Sequence, residues 1–497
     1  MSPAATDFPL ITEASEHDET RLRIRRTLDL AAEPYADHHT VGGQRVSRVN
    51  PDQHGLPVMP MTFTLETLAE AAAKLVPEMT VVSLREVRLQ KWLAFYVEDP
   101  VTIELLAERL PFEEVPRPIR RTLESDNVVV RVTIRDLGNS GIGPGAQGGD
   151  AVSGLVVLAT GFPQPGSEKV DNFELSNPRP FNTSWNDLYD NLFHGPLFQG
   201  IVTLDQYGDR QAVATIEVLP RAGWLRDNDT PQFIQDPVAM DTAMHTLAAW
   251  HVEQPDQNGR VMLPFSLDRV DFFAPCPTVG ERFLCQGQLR KETPRYVVQD
   301  LDVFDVNGRL RWQMKGIRLW RFYLPFDGVN FHGPKDVYFL SSEWAEAAPN
   351  DETTCVRFDA PDDLLQPAIL WAASKVALTP REQEIFIGLR GTEYENAQWV
   401  LSRGACKDAA RKLFLARDHR KMFPADIEID DATPGLWRTC PRGSAQELKF
   451  PRVAYAECER RFVSLASVEG VPFVAAMLID EGTSTSAQQR ALSLIHI

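Results

Sequence analysis

A run of apolar residues long enough to cross a membrane, about 20, is missing from this sequence. The longest near its C-terminal end, VPFVAAMLI, falls far short. The opening MSPAATDFPLITEASEHDET has neither the basic stretch nor the apolar core of a secretory signal. Together these absences lead to the expectation of a cytoplasmic protein without membrane contact. Cysteine is scarce as well: the six present (Cys276, Cys285, Cys355, Cys406, Cys440, Cys458) form no CxxC pair and no Cys/His cluster at zinc spacing. Reduced, structural thiols and no metal site are the expectation. Basic residues are outnumbered, 51 Lys and Arg against 69 Asp and Glu, for a formal net charge of -18. Nucleic-acid binding needs a phosphate-neutralising basic surface, so this balance argues against it as a general function.

What remains is an ordinary globular composition, 43% hydrophobic and 24% charged, over 497 residues, a length that suggests two or three domains. TRLRIRRTLDL alternates as a strand, with Leu22, Ile24, Leu28 and Leu30 on or near one face. Its Arg21, Arg23, Arg25 and Arg26 read as a solvated face, with carrier-protein docking as the alternative. MTFTLETLAEAAAKLVPE places Leu65, Leu68, Ala69, Ala72 and Leu75 at helical spacing and ends near Pro77. NVVVRVTIRDL then alternates Val128, Val130, Val132 and Ile134 with polar residues in the period of a half-buried strand. The following GNSGIGPGAQGGD has GxGxxG spacing at Gly143, Gly145 and Gly148, but AVSGLVVLATGF after it reads as a strand. A dinucleotide fingerprint requires a helix there, so the segment reads as a hairpin loop.

The same order recurs from residue 180: strands, then a helix in QDPVAMDTAMHTLAAWH, then strands that include YVVQDLDVFDVNGRLRWQMKGIRLWRF. Asp236 and Pro237 suit an N-cap and first helical position, and Asn307-Gly308 suits a type I′ hairpin turn. Two such units predict a pseudo-duplicated α+β domain over about 15–325, followed after a change of composition by a more helical region. Within the second helix Asp241 and His245 sit one turn apart among apolar residues. Burying both costs several kcal/mol unless they are paired or face a cavity. Upstream, EPYADHHTVGGQRVSRVNPDQHGLPVMP sets His38 and His39 before a glycine pair and a proline-containing approach to the first helix.

These residues carry a resemblance. His39 to Gly43 (HTVGG) resembles the HxVxG start of the HxxxGxxxxP motif of polyketide synthase dehydratase domains, and His194 to Gly200 (HGPLFQG) resembles their YGPxFQG segment with His for Tyr. Asp241 to His245 is similar to their DxxxQ/H motif, and Leu263 to Val270 (LPFSLDRV) to their LPFSWxGV strand. A single histidine on an apolar strand is ordinarily a satisfied core group; four motifs in order make His39 and Asp241 site candidates. The resemblance implies a double hot-dog fold, two long helices each wrapped by an antiparallel sheet. It also implies loss of water from a 3-hydroxyacyl thioester on an acyl carrier protein, without a cofactor, beside other polyketide or fatty acid synthase components. By the same analogy the catalytic pair is His39 and Asp241. Val41 and Gly43 favour His39 as base, while an Asp-His pair favours His38. The motif's proline is Pro57 or Pro60, because a loop is inserted before it.

The physical chemistry runs the same way. Elimination needs a base for the proton alpha to the thioester and an acid for the departing hydroxyl, on either side of the substrate. Neutral imidazole serves as base near pH 7, and burial is expected to raise the Asp241 carboxyl so that it is protonated or shares a proton. His245 is placed to orient either that carboxyl or the substrate hydroxyl. Gly43 or the start of the Met61–Leu75 helix would supply N–H groups to the thioester oxygen, and His194, Gly195, Pro196 and Phe198 would line the acyl tunnel together with Pro60. Alternatives are a product-template-like cyclase on the same fold and a non-catalytic carrier-protein-binding subunit.

Beyond residue 357, ENAQWVLSRGACKDAARKLF, FPADIEIDDATPGLW and RFVSLASVEGVPFVAAM resemble the N-terminal half of a phosphopantetheinyl transferase, with Ser467 where that family has a histidine. No GxDxE metal motif or WxxKE helix follows, so a partial, inactive domain is expected, with Lys407 and Asp408 a solvated helix pair. The expected division is a disordered 1–14, hot-dogs at 15–175 and 176–325, a linker at 326–357, a smaller α+β transferase-like domain at 358–482, and a tail at 483–497. That tail closes on ALSLIHI, which resembles translated sequencing adapter.

Overall fold

The computed structural model describes residues 8–11, 14–95, 100–138, 148–165, 173–254, 260–323, 329–330, 333–334, 339–344, 352–360, 362–430, 437–441, 452–458 and 461–467. The glycine-rich loop 139–147, most of the expected disordered N-terminus and the tail lie outside the described residues. The chain divides into two bodies, one of 1–39 with 57–322, the other of 40–56 with 323–497. No helix among the described residues is long and apolar enough to cross a membrane.

In the first body, alternation and helical spacing give two helices against one antiparallel sheet. The strands are β1 (Ala14–His17), β2 (Arg21–Thr27), β3 (Thr80–Leu89), β4 (Thr102–Arg109), β5 (Val128–Asp136), β6 (Gly149–Ala159), β7 (Ile201–Tyr207), β8 (Gln211–Glu217), β9 (Arg260–Phe272), β10 (Arg282–Glu292), β11 (Tyr296–Phe304) and β12 (Leu310–Tyr323). Helix α1 (Met61–Leu75) and helix α2 (Pro237–Val252) complete it. The order across the sheet is β1-β2-β4-β5-β6-β3-β9-β12-β11-β10-β8-β7. Strands β1 to β6 wrap α1 and β7 to β12 wrap α2, and the antiparallel pair β3–β9 (Leu84 opposite Val270, Ser83 opposite Asp271) joins the halves. This is the double hot-dog.

Its core is continuous. Leu65, Leu68 and Ala72 of α1 meet Ile24, Ile103, Leu105, Val130, Val132 and Val156, while Ala243 and Leu247 of α2 meet Ala214, Ile216, Phe283, Cys285, Leu301 and Met314. Each fully buried Leu or Phe adds about 2–3 kcal/mol, which sets the register of every strand facing the helices. At Gly287 on β10 a Cβ would stand 2.6 Å from Leu247 Cγ, so the absence of a side chain there lets the sheet close on α2. Asp236 caps α2, its side chain accepting the Ala239 N–H at 2.8 Å with Pro237 at the first position.

Several expectations are corrected. Arg26 is not on a solvated face: its side chain is buried against Glu33 and the Leu10 carbonyl. Leu10, expected in a disordered start, is itself buried, its N–H donating to Glu70 Oε2 at 2.9 Å. The β11–β12 turn is not type I′, because Asn307 keeps a negative φ; Gly308 alone is left-handed (φ 74), and its N–H donates to Asp305 O. Three residues, Val306 to Gly308, therefore make the turn, in the bulged form that follows a type I turn.

The second body packs helix α5 (Glu393–Asp418) on a sheet of β13 (Ser342–Glu343), β14 (Thr353–Asp359), β15 (Ile427–Asp430), β16 (Trp437–Pro441), β17 (Arg452–Cys458) and β18 (Arg461–Ser467), in the order β13-β14-β18-β17-β16-β15. This sheet begins inside the stretch expected to be a linker. Helices α3 (Pro367–Ala377) and α4 (Pro380–Gly388) precede α5. Segment 40–56, expected as a loop at the site, belongs to this body. Ser47 Oγ and the Arg48 N–H donate to Asp426 Oδ1 at 2.6 and 2.8 Å, and Gln53 Nε2 donates to Leu378 O at 2.7 Å. Lys407 and Asp408 are not solvated: both are fully buried, Lys407 on Glu382 and the Ala377 carbonyl, Asp408 on Arg411 and Ser341. Buried charges persist only when paired in this way.

Candidate active site

The two halves meet chemically where residues 38 and 39 run beside 194 and 195. His39 and His194 face each other across an isolated antiparallel bridge, and the Gly195 N–H donates to His38 O at 2.7 Å. His39 follows a 3₁₀ turn, Pro34–His38, and is held from behind. Its Nδ1 lies 2.8 Å from Val58 O, and the Val58 N–H donates to His39 O at 3.1 Å. A carbonyl can only accept, so Nδ1 carries the proton and Nε2 presents a lone pair.

From the second half, Asp241 enters on α2. Its Oδ2 lies 3.3 Å from His194 Nε2 and 3.4 Å from His245 Nε2. One ligand atom each from His39, His194 and Asp241 fall within 4.8 Å of one another. Three groups bound to one ion at about 2.1 Å could be no more than about 4.2 Å apart, so the trio fits a proton site better than a metal without closing further. Phe193 and Phe198 form the apolar wall, their rings 4.7 and 5.6 Å from that of His39.

Burial sets the charge states, modified by neighbours. The imidazole of His39 is pushed down to about 3 by burial and by His194, with Asp241 pulling the other way, so it is neutral near pH 7. For Asp241, burial alone raises the carboxyl, but His194 and His245 outweigh it and hold it well below the usual range. This corrects the expectation of a carboxyl raised by its apolar helix: two imidazoles turned towards it reverse the sign.

Not all candidates converge. His38 is half-buried outside the cluster: its Nδ1 faces the Leu197 N–H at 3.4 Å, and a Cβ on Gly195 would stand 2.6 Å from that nitrogen. Gly195 is therefore a packing position against His38. Pro196 is exposed and lines nothing, whereas Phe198 is fully buried. Pro60 precedes α1 and is buried, accepting the Thr64 N–H at 3.0 Å, and it leaves the first turn of α1 without a side-chain cap. The N–H of Gly43 is spent on Thr40 O at 3.1 Å, so the thioester-donor role does not fall to it. The sequence reading missed Tyr189, whose hydroxyl lies 3.4 Å from His245 Nδ1. The available signal was the capping box of Ser184 and Asp187, which starts the short helix Trp185–Asp190 a few residues before His194.

Comparison with known proteins bears on this same region. Residues 174–323 match the family model of the polyketide synthase dehydratase N-terminal domain. That match carries α2, Asp241, His245, His194 and Tyr189. The chain is 33% identical over 128 residues to polyketide synthase PksM of Bacillus subtilis, 25% of this chain and 3% of that protein. It is 24% identical over 263 residues to one of the subunits of polyunsaturated fatty acid synthase from a Thraustochytrium species, 52% of this chain and 8% of that one. The chain thus spans a small part of these relatives. Among solved structures, a trans-AT polyketide synthase dehydratase domain from Brevibacillus brevis aligns at 16% identity and TM-score 0.44, covering 64% of this chain and all of that one (100%). The dehydratase domain from the CurF module of curacin polyketide synthase aligns at 15% and 0.43, covering 64% and 100%.

Proposed function

We propose that the first body removes water from a 3-hydroxyacyl thioester carried by an acyl carrier protein, giving the 2,3-enoyl thioester in polyketide or polyunsaturated fatty acid type biosynthesis. The observation that carries this reading is the convergence of a neutral imidazole from one half, His39, on an ionisable carboxyl from the other, Asp241, in a buried cluster. His39 Nε2 takes the proton alpha to the thioester, and the C–O bond to the hydroxyl breaks as the double bond forms. The hydroxyl leaves as water with a proton held between Asp241 and the imidazole of His194 or His245. Each turnover leaves His39 one proton richer and the Asp241 cluster one poorer. Their closeness allows direct return.

The uncapped first turn of α1 is the proposed N–H source for the thioester oxygen. No cofactor is needed for this chemistry, the partners are acyl carrier protein and further synthase components, and the compartment is the cytoplasm. For the second body the proposal is a transferase-like fold without transferase activity, because Lys407 and Asp408 are consumed in buried pairs.

The test is incubation of the full chain with a 3-hydroxyacyl carrier protein, followed by mass spectrometry of the acyl group. Loss of one water, abolished by His39→Ala and retained by His38→Ala, is expected. An intact hydroxyacyl group refutes the reading. Ring closure of a polyketone substrate in its place would favour a cyclase, and carrier binding without any chemistry a scaffold.

A further inference from the structure

The buried phenol of Tyr189 has no part in the proton transfers above, yet it stands directly behind His245. Its ring packs on Trp185 with centroids 4.8 Å apart, and its hydroxyl accepts the Ile201 N–H at 3.2 Å. The remaining neighbour of that hydroxyl is His245 Nδ1, at 3.4 Å. On the far side of the same ring, Nε2 lies 3.4 Å from Asp241 Oδ2. A neutral imidazole has one N–H, so only one of its two nitrogens can donate towards its neighbour.

We infer that Tyr189 is a positioning residue that fixes His245 as the Nε2–H tautomer: the phenol donates to Nδ1, and the ring's single proton is turned towards Asp241. Two observations support the direction. Burial holds the Tyr189 hydroxyl well above its ordinary range, so it keeps its proton, and the Ile201 N–H already engages its lone pair. The opposite tautomer would set the Nε2 lone pair against a carboxylate oxygen in a buried site, where repulsion is least screened. Asp241 therefore has a fixed donor at its back, which leaves His194 as the partner free to exchange a proton with it. Glutamine at 245 would meet the same two neighbours with no choice of tautomer, its amide N–H on Asp241 and its carbonyl on Tyr189.

That asymmetry supplies the experiment. Ring ¹⁵N shifts of histidine-labelled full chain, with His245 assigned by difference from His245→Gln, should show a protonated Nε2 and a bare Nδ1, and Tyr189→Phe should abolish the preference. This arm does not depend on the dehydratase reading. The kinetic arm does: with a 3-hydroxyacyl pantetheine thioester, Tyr189→Phe is expected to lower kcat by about tenfold or more with KM within about twofold. In a His245→Gln background the same change should cost no more than about twofold. An Nδ1–H or doubly protonated ring in the native protein, an unchanged tautomer in Tyr189→Phe, or equal losses in both backgrounds overturns the assignment. If no thioester is dehydrated, the dehydratase reading falls and the ring shifts alone decide this one.

Discussion

Helices α1 and α2 each bury a pair of ionisable side chains one turn apart, Glu66 with Glu70 and Asp241 with His245, and their acids are shifted in opposite directions. Glu66 is pushed up to about 8 by burial, although the N–H groups of Gln235 and Ile234 donate to it at 3.0 and 2.5 Å. Glu70 is pushed well above its ordinary range by burial and by Glu66. Asp241 is equally buried, yet His194 and His245 hold it well below that range. Burial raises all three, and what differs is whether the neighbours overcome it. On α1 the backbone N–H groups lower the acids without overcoming burial, and those same donations fasten Leu10 and the run into α2. On α2 the two imidazoles facing Asp241 do overcome it.

The sharpest way to break this comparison is to neutralise one acid on each helix. Asp241→Asn is expected to reduce kcat about 10²–10⁴-fold, the usual range for a positioned acid or base, while Glu70→Gln keeps kcat within about threefold; steady-state kinetics on a hydroxyacyl thioester decide it. Comparable losses from the two would erase the distinction.

Next in size is the dependence of stability on pH, measured by denaturant unfolding. His39 has a folded value near 3 against 6.5 in the open chain, so the unfolded state binds the extra proton between those limits. Its contribution is full above about pH 6.5 and is lost as pH falls towards 3, on the order of 5 kcal/mol, and His39→Gln should flatten that limb. For Glu66 the sign is opposite: its folded value is raised from 4.5 to about 8, so stability is lost as pH rises through that window. Glu66→Gln, which removes the titrating group, should flatten the alkaline limb.

The smallest effect compares the glycines under the two helices. An added methyl at Gly287 meets Leu247 Cγ at 2.6 Å, whereas at Gly154 the nearest atom, Val87 Cγ2, is 3.1 Å away. Gly287→Ala should cost about 1–3 kcal/mol and Gly154→Ala less; thermal unfolding of both variants checks the order.

Much of this architecture is visible in one dimension because the period of apolar residues is a local signal. Leu65, Leu68 and Leu75 mark α1, Val130, Val132 and Ile134 mark β5, and Asp236-Pro237 marks where α2 starts. His39, His194, Asp241 and His245 stood out by their motifs. Their arrangement did not, because an Asp on an apolar helix looks the same whether an imidazole or a leucine faces it. Glu66 and Glu70 passed as the polar side of α1 since their compensation comes from afar: Ile234 is 168 positions away from Glu66. The loop inserted after Gly43 reads as lying beside the site because it follows His39 so soon, and the partners of its Ser47 and Gln53, Asp426 and Leu378, lie hundreds of residues on.

That detour bears on any attempt to dissect the protein. The chain departs at His39 and comes back at Val58, and the pair of bonds between those residues clips the ends of the excursion together. A gene cut at codon 322 would leave Ser47 and Gln53 orphaned from the residues they hold. The cleanest isolated first body would therefore splice a short bridge across positions 40 to 56, leaving the clip intact.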